Sequence, residues 1–409
     1  MTYKIVGGNH LKFIKTMMFK YTRFFILGFA AFLLVETCVL LYLNNVYFKH
    51  GSDYTLVKIN STASSKPVFT DVKLTTGANN LSCSHDGKYL AYALDGQLNI
   101  LDMTNNETYT VENAKGMVLS DFKWVYDRDR LMITEKNTDG KNGYYIKLYR
   151  YDIKDKILTE IVDFLSGNDY KINLSNKSDE VTDIEVSTKT AVTYVTVSDK
   201  SSGSNKYKIY EINVTEPIKK ISTYTKTIGN ILCLKDKDIL LYEENTSGKI
   251  YREDTDSPIS VSGNTSLKLL GFDNKENVYF AVIKDSKTSS IYYGDVVGKS
   301  FQNVKLDKAV DPSSIMVNYY GNVYINDKTN AQMIKVLPVD NVISATSSSV
   351  SSSNTSSSKA SSTKTSSFNI LSSQAELIIG TRYSGSIVSI YDIGFVTNDS
   401  GIIKHYEFK

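Results

Sequence analysis

The stretch Leu81 to Asp102, LSCSHDGKYLAYALDGQLNILD, constrains the fold more than any other part of the chain. Leu81 and Cys83 alternate with polar residues and run into Ser84-His85-Asp86-Gly87-Lys88, whose Asp-Gly pair suits the positive φ that tight turns demand. Tyr89 to Ala93 are strand formers, Asp95-Gly96 predicts a second hairpin, and Leu98, Ile100 and Leu101 carry a third strand to Asp102. Three antiparallel strands in about twenty residues cannot bury their own face, so copies must pack against them.

Eroded copies follow. A second repeat has Asp121-Phe122-Lys123-Trp124, a turn at Asp127-Arg128-Asp129, then strands at Arg130 to Glu135, Tyr145 to Ile153 and Ile157 to Ile161. A third begins at Val181 and turns at Ser187-Thr188-Lys189-Thr190 without a glycine, and a fourth turns at Asp236-Lys237-Asp238. A fifth turns at Asp273-Asn274-Lys275-Glu276, and a shorter sixth runs from Ile315 to Val336. The turn residues Ser84, Asp86, Gly87, Lys88, Asp127, Asp129, Asp236, Asp238 and Asp273 read as structural. Spacings of roughly 35 to 60 residues bracket the ~40 to 50 of a propeller blade.

From Ser344 to Ser367 the chain is almost pure Ser, Thr, Ala, Asn and Lys, a composition that predicts a disordered linker or loop. Beyond it, Phe368 to Leu371, Glu376 to Thr381, Ile387 to Ile393 and Ile402 to Phe408 give four more strand signals, read as a blade over 368–409 that closes the ring. Tyr54 to Ile59 and Val68 to Leu74, which precede the first clear repeat, are candidates for outer strands that close the ring. The expected fold class is all-β: a propeller of four-stranded antiparallel blades over 53–343 and 368–409, with seven blades favoured and six or eight open.

Ser84, Asp86, Gly87, Lys88, Leu90, Ala91 and Tyr92, followed by Leu98 and Asp102, resemble the repeats of TolB-type and dipeptidyl-peptidase-IV-type propellers. The resemblance implies architecture rather than activity. A peptidase of the second type needs an α/β-hydrolase domain with Ser on a G-x-S-x-G elbow, and the chain has no such motif. The S-x-D-x-G-x-T-W box of propeller sialidases is not met either: in Ser84-His85-Asp86-Gly87 the glycine falls one place early and no Trp follows.

The chain's 409 residues, 41% hydrophobic and 11% aromatic, suffice for a large packed core. Few prolines with abundant Lys, Asn, Ile and Tyr suggest an AT-rich bacterial source. The formal charge of +3 is uneven. Lys4, Lys12, Lys15, Lys20, Arg23 and Lys49 face one acid, Glu36, in the first fifty residues, so the remainder is near neutral with a slight acidic excess. That leaves no footprint for nucleic acid. Cys83 and Cys233 occupy equivalent places in two well-separated repeats and are read as buried thiols rather than a disulfide.

Phe24 to Leu43, FFILGFAAFLLVETCVLLYL, has the length of a membrane-spanning helix. The basic residues before it predict a cytoplasmic segment over 1–23, a signal anchor over 24–43, a stalk over 44–52 and an extracytoplasmic remainder. Signal-peptide cleavage is disfavoured by the bulky Leu43 to Phe48, and lipidation of Cys38 by the preceding Val35-Glu36-Thr37. Glu36 is the one charged group in the expected span, a membrane-embedded polar residue expected either to contact a partner helix or to sit protonated or snorkelling. Lys12, Lys15, Lys20 and Arg23 also suit a short interfacial helix on anionic lipid.

His10, His50, His85 and His405 lack metal-ligand spacing. The Asp127/Asp129 and Asp236/Asp238 turns hold oxygens suited to Ca²⁺, but such turns usually bond their own backbone. No catalytic, cofactor-binding or metal residue is assigned, and no cofactor is expected. The expected function is a membrane-anchored, non-catalytic binding or scaffold module at the cell envelope, whose partner is the bilayer together with an unidentified protein or envelope glycan. An envelope hydrolase or lyase working from loops at the propeller mouth, and a membrane-tethered sensor, stay open beside it.

Overall fold

The alternating segments pair into seven sheets in the computed structural model, which describes residues 26–42, 69–141, 143–163, 167–200, 206–236, 238–336, 367–368 and 381–408. The chain divides into two compact units, 1–66 and 67–409, and every sheet lies in the second. Each sheet is one blade of a seven-bladed, all-β propeller.

Blade one is Asn79–Cys83, Tyr89–Leu94, Gln97–Asp102 and Glu107–Val111, each strand antiparallel to the next. Its second hairpin has Asp95 at φ 52 and Gly96 at φ 75, the two positive angles a two-residue turn of this hand requires. Blade two is Met117–Trp124, Arg130–Asn137 and Tyr145–Asp152, with Ile157–Glu160 and Ile172–Asn173 sharing its outer edge. Blade three is Glu180–Val186, Thr193–Asp199, Lys206–Ile212 and Lys219–Lys220. Its glycine-free first turn is made by Ala191, which takes φ 62.

Blade four shows Ile228–Cys233, Leu240–Glu244 and Ile250–Arg252, and the N–H of Ile259 donates to Ile250 O where a fourth strand would run. Blade five is Leu267–Phe272, Val278–Val282, Thr288–Asp295 and Ser300–Val310. Blade six is Ile315–Val317, Val323–Asp327, Gln332–Val336 and Thr381–Arg382. Blade seven is Ser386–Ile390, Gly394–Asp399 and Ile402–Glu407, completed by Val72–Lys73 from the other end of the domain.

The segment after the Ser-rich tract is therefore shared among three blades, which corrects the expectation of one self-contained blade over 368–409. Ser367–Phe368 lies parallel to the outer strand of blade five, Thr381–Arg382 finishes blade six, and only the rest builds blade seven. The reason is physical: apolar alternation marks a segment as extended but does not say which edge it will join. Closing the last blade with an N-terminal strand ties the two ends of the domain into one sheet. Tyr54 to Ile59 lies outside the described residues.

The core is divided among the joints between blades. Seven hydrophobic clusters lie between consecutive blades, one per joint, from blades one and two round to blades seven and one. Burying one large apolar side chain is worth roughly 1.5–3 kcal/mol, so no blade is stable without its neighbours. Cys83 and Cys233 are both buried and free, in blades one and four, and burial pushes each thiol well above its ordinary value.

Residues 26–42 of the first unit form a helix, exposed along its length, that carries Glu36 and Cys38. Among the described residues no helix is long and apolar enough to cross a membrane. Phe24, Phe25 and Leu43, the ends of the expected span, lie outside them.

Candidate functional site

The site begins with the innermost strand of each blade. Six of these strands carry a register shift, between Asn79 and Ser82, Leu119 and Asp121, Val181 and Asp183, Ile228 and Ile231, Leu269 and Gly271, and Ile387 and Ser389. A bulge bends its strand and re-aims the following side chains. Around the axis all seven innermost strands wall a cavity of about 370 Å³.

Polar residues that alternate on two of these strands meet inside it. Lys123 Nζ lies 2.8 Å from Glu185 Oε1 and 3.1 Å from Asp183 Oδ1, and the Tyr126 hydroxyl donates to Glu185 Oε2. Burial works against the Lys123 charge, but Glu185 and Asp183 outweigh it and hold the ammonium well above the usual lysine value. Burial pushes Glu185 up, against the pull of Lys123. Asp183 also accepts the N–H of Ile231 at 3.3 Å, so one carboxylate joins blades two, three and four. Nearby, Asp121 accepts from the Asn80 amide and from the N–H of Phe122, both at 2.8 Å. Burial raises its pKa to about 6, and the charge of Asp183 adds to the rise.

One end of the cavity is formed by the turns that lead from the first to the second strand of each blade. These turns are joined in a closed belt. The N–H of Asp392 donates to His85 O, His85 faces Asp129, and Asp127 bonds the side chain of Thr188. The Ser187 hydroxyl donates to Lys235 O, the N–H of Asp236 to Glu276, the N–H of Asn274 to Tyr319 O, and the Asn318 amide to Asp392 O. The belt thus passes through all seven blades. Lys235 reaches further, donating at 2.7 Å to the hydroxyl of Tyr319 on blade six.

The sequence-predicted turn residues all lie in this belt or support it. Asp273 is buried and accepts the N–H groups of Lys275 and Asn277 and the Asn277 amide, each at 2.9 Å. Ser84 donates to Asp86, which also accepts the N–H of Lys88 and pairs with its ammonium at 2.6 Å. Gly87 has φ 76, and a Cβ there would stand 2.7 Å from the ring of Tyr391, so glycine lets blade seven approach blade one. Asp127 is held below the usual carboxylate range: burial works to raise it, and the bonds and charge of Arg128 win. Asp236 pairs with Lys189 at 3.2 Å, and Asp238 accepts from Thr190.

Sequence reasoning missed the residues inside the cavity. Their signal was present: Lys123 on one inner strand faces Asp183 and Glu185 on the next, and the last two stand two residues apart, the spacing that puts both on one face. Trp124, the residue after Lys123, is buried, with its indole N–H donating at 2.9 Å to Ser82 O.

No protein-family model and no curated protein matches the chain. Solved structures are similar to it in fold. A chain of the Mitotic Checkpoint Complex has a TM-score of 0.47 at 11% identity, covering 87% of this chain and 99% of that one. An oligogalacturonate lyase from Vibrio parahaemolyticus has 0.44 at 11% identity, covering 66% and 80%. Dipeptidyl peptidase 4 of Porphyromonas gingivalis has 0.36 at 12% identity, and the match spans 63% of this chain and 43% of that longer one.

Proposed function

We propose that the chain is a propeller tethered to the outer face of a bacterial cell membrane, which binds a protein or envelope glycan at the mouth of its central cavity without altering it chemically. The observation that carries this reading is how the mouth is built. Tyr126 and Tyr319 line the cavity as aromatic contact surface, backed by the buried Phe272 and Tyr391, while its strongest charges, Lys123, Asp183 and Glu185, already satisfy one another. Aromatic side chains in a concave pocket with a few fixed polar groups suit recognition. The tether is supported by the exposed apolar helix over 26–42 and the basic residues before it. The repeat pattern around Ser84 to Tyr92 supports a TolB-like lineage for the propeller.

The test is capture from intact membranes, run beside an array of envelope polysaccharides and peptides, with the full chain and with Tyr319→Ala. A ligand retained by the full chain and weakened at least tenfold by Tyr319→Ala supports the reading. Chemical turnover of that ligand sinks the non-catalytic half of it, and a second reading then takes over. That reading is an envelope hydrolase or lyase working from loops at the propeller mouth. Protease protection of the C-terminus in intact cells would overturn the outward orientation.

A further inference from the structure

At the belt, blades seven, one and two bring four titratable side chains together. We propose that His85 Nδ1, a carboxylate oxygen of Asp86 and Asp129 Oδ1 form a divalent metal site that pins the first turn of blade one to that of blade two. The three ligand atoms lie within 4.8 Å of one another, on turns that the backbone already holds in place.

Two of the three atoms make no hydrogen bond. His85 Nδ1 and Asp129 Oδ1 are shut away from solvent and neither makes a hydrogen bond. They face each other at 3.5 Å, outside hydrogen-bonding geometry. Two opposed polar atoms without hydrogen bonds are an arrangement that a single cation between them relieves. Metal–nitrogen and metal–oxygen bonds of about 2.0–2.2 Å fit between donors at this separation.

The local charge points the same way. Asp86, Asp129 and the nearby Asp392 surround one imidazole, and Lys88 is already engaged by Asp86. Asp86 enters the site by releasing the Lys88 ammonium, a half-exposed group free to move into solvent.

The donor set selects the ion. One imidazole with two carboxylates suits Zn²⁺ or Mn²⁺, whereas Ca²⁺ takes six to eight oxygens, more than this corner supplies. Asp392 donates its backbone N–H to His85 O, so a metal here would also stiffen the blade that closes the ring. The site does not depend on what the mouth binds, and it is tested without any ligand.

The experiment uses the full chain, without a histidine tag, stripped with chelator and titrated with Mn²⁺, Zn²⁺ and Ca²⁺. Expected are one Mn²⁺ or Zn²⁺ per chain, a raised melting temperature, and an imidazole nitrogen coupling in the pulsed EPR spectrum of the Mn²⁺ form. His85→Gln and Asp129→Asn should each weaken uptake at least tenfold, while Asp236→Asn, at the corresponding turn of blade four, should not. Absence of saturable uptake overturns the site and leaves His85 and Asp129 as a plain ion pair. Uptake that survives both variants, or an EPR spectrum without nitrogen coupling, also overturns it. The EPR measurement needs no variant to fold.

Discussion

The joint between blades two and three and the joint between blades six and seven do the same architectural work with different chemistry. At the first, Met132, Ile146, Leu148, Ile184, Val195 and Val197 interdigitate as aliphatic side chains, and the cavity edge is closed by Lys123 with Asp183 and Glu185. At the second, Tyr324, Met333 and Phe395 are the buried members among the described residues, framed by the partly exposed rings of Tyr383, Tyr406 and Phe408. Phe408 stacks on Tyr324 with centroids 3.9 Å apart, and Phe395 stacks on Tyr406 at 5.2 Å. Aliphatic packing spreads its energy over many similar contacts. An aromatic joint concentrates it in a few large rings, so single substitutions there should be felt more.

The largest expected effect tests that concentration. Phe395→Ala should cost about 3–5 kcal/mol in urea unfolding, because the ring is wholly buried and its neighbours are rigid. Ile184→Val, at an equally buried place in the other joint, should cost about 1 kcal/mol. Equal losses would erase the contrast.

Next comes the ionic edge. Lys123→Met leaves Glu185, almost fully buried, without its cation and should cost about 2–3 kcal/mol. Adding Glu185→Gln should recover most of that, since removing both charges also removes the unpaired one. A double variant no more stable than the single one would show that Lys123 acts through packing.

The joint between blades seven and one adds a pH test. His405 is stacked on Phe69 at 3.8 Å and sits 2.9 Å from the Tyr391 hydroxyl, and burial lowers its pKa to about 4. Above pH 6.5 both folded and unfolded chains hold it neutral. As pH falls from 6.5 to 4 only the unfolded chain takes up the proton, so stability is lost across that window, by about 2 kcal/mol after allowance for partial exposure. Asp121 works in the opposite sense, being relieved as it protonates below pH 6. The measurement is therefore the difference between the wild-type chain and His405→Phe from pH 7 to pH 4, which should shift against the wild type as pH falls. A constant difference would place the histidine in solvent. The smallest effect is Phe408→Leu, which removes one stacked pair and should cost about 1 kcal/mol.

The architecture was legible where local chemistry determines it. Asp95-Gly96 and Ser84 to Lys88 specify their turns by residue type alone, and the inner strands follow from alternation. Edge assignment was legible only in part: the place of Val68 to Leu74 ahead of the first repeat marks it as an outer strand that closes the ring, as Val72 and Lys73 do, whereas alternation alone does not show that Ser367–Phe368 and Thr381–Arg382 join blades five and six. The cavity was missed for a related reason. Lys123, Asp183 and Glu185 are each unexceptional in their own strand and gain meaning when two blades face each other. His85, Asp86 and Asp129 were visible as turn residues, while their convergence depends on the approach of neighbouring blades.

The short strand Val72–Lys73 also fixes how the propeller responds to mechanical load. Its pairs are Val72 with Ile403 and Lys73 with Ile402, extended by the N–H of Leu74 donating to Gly401 O. Tension applied to the chain ahead of residue 69 reaches the folded ring at Phe69, stacked on His405, and then at this strand. A pull across the sheet would peel the pairs off one at a time, whereas a pull along the strand would have to shear them together, so the direction of force decides at what load the ring opens.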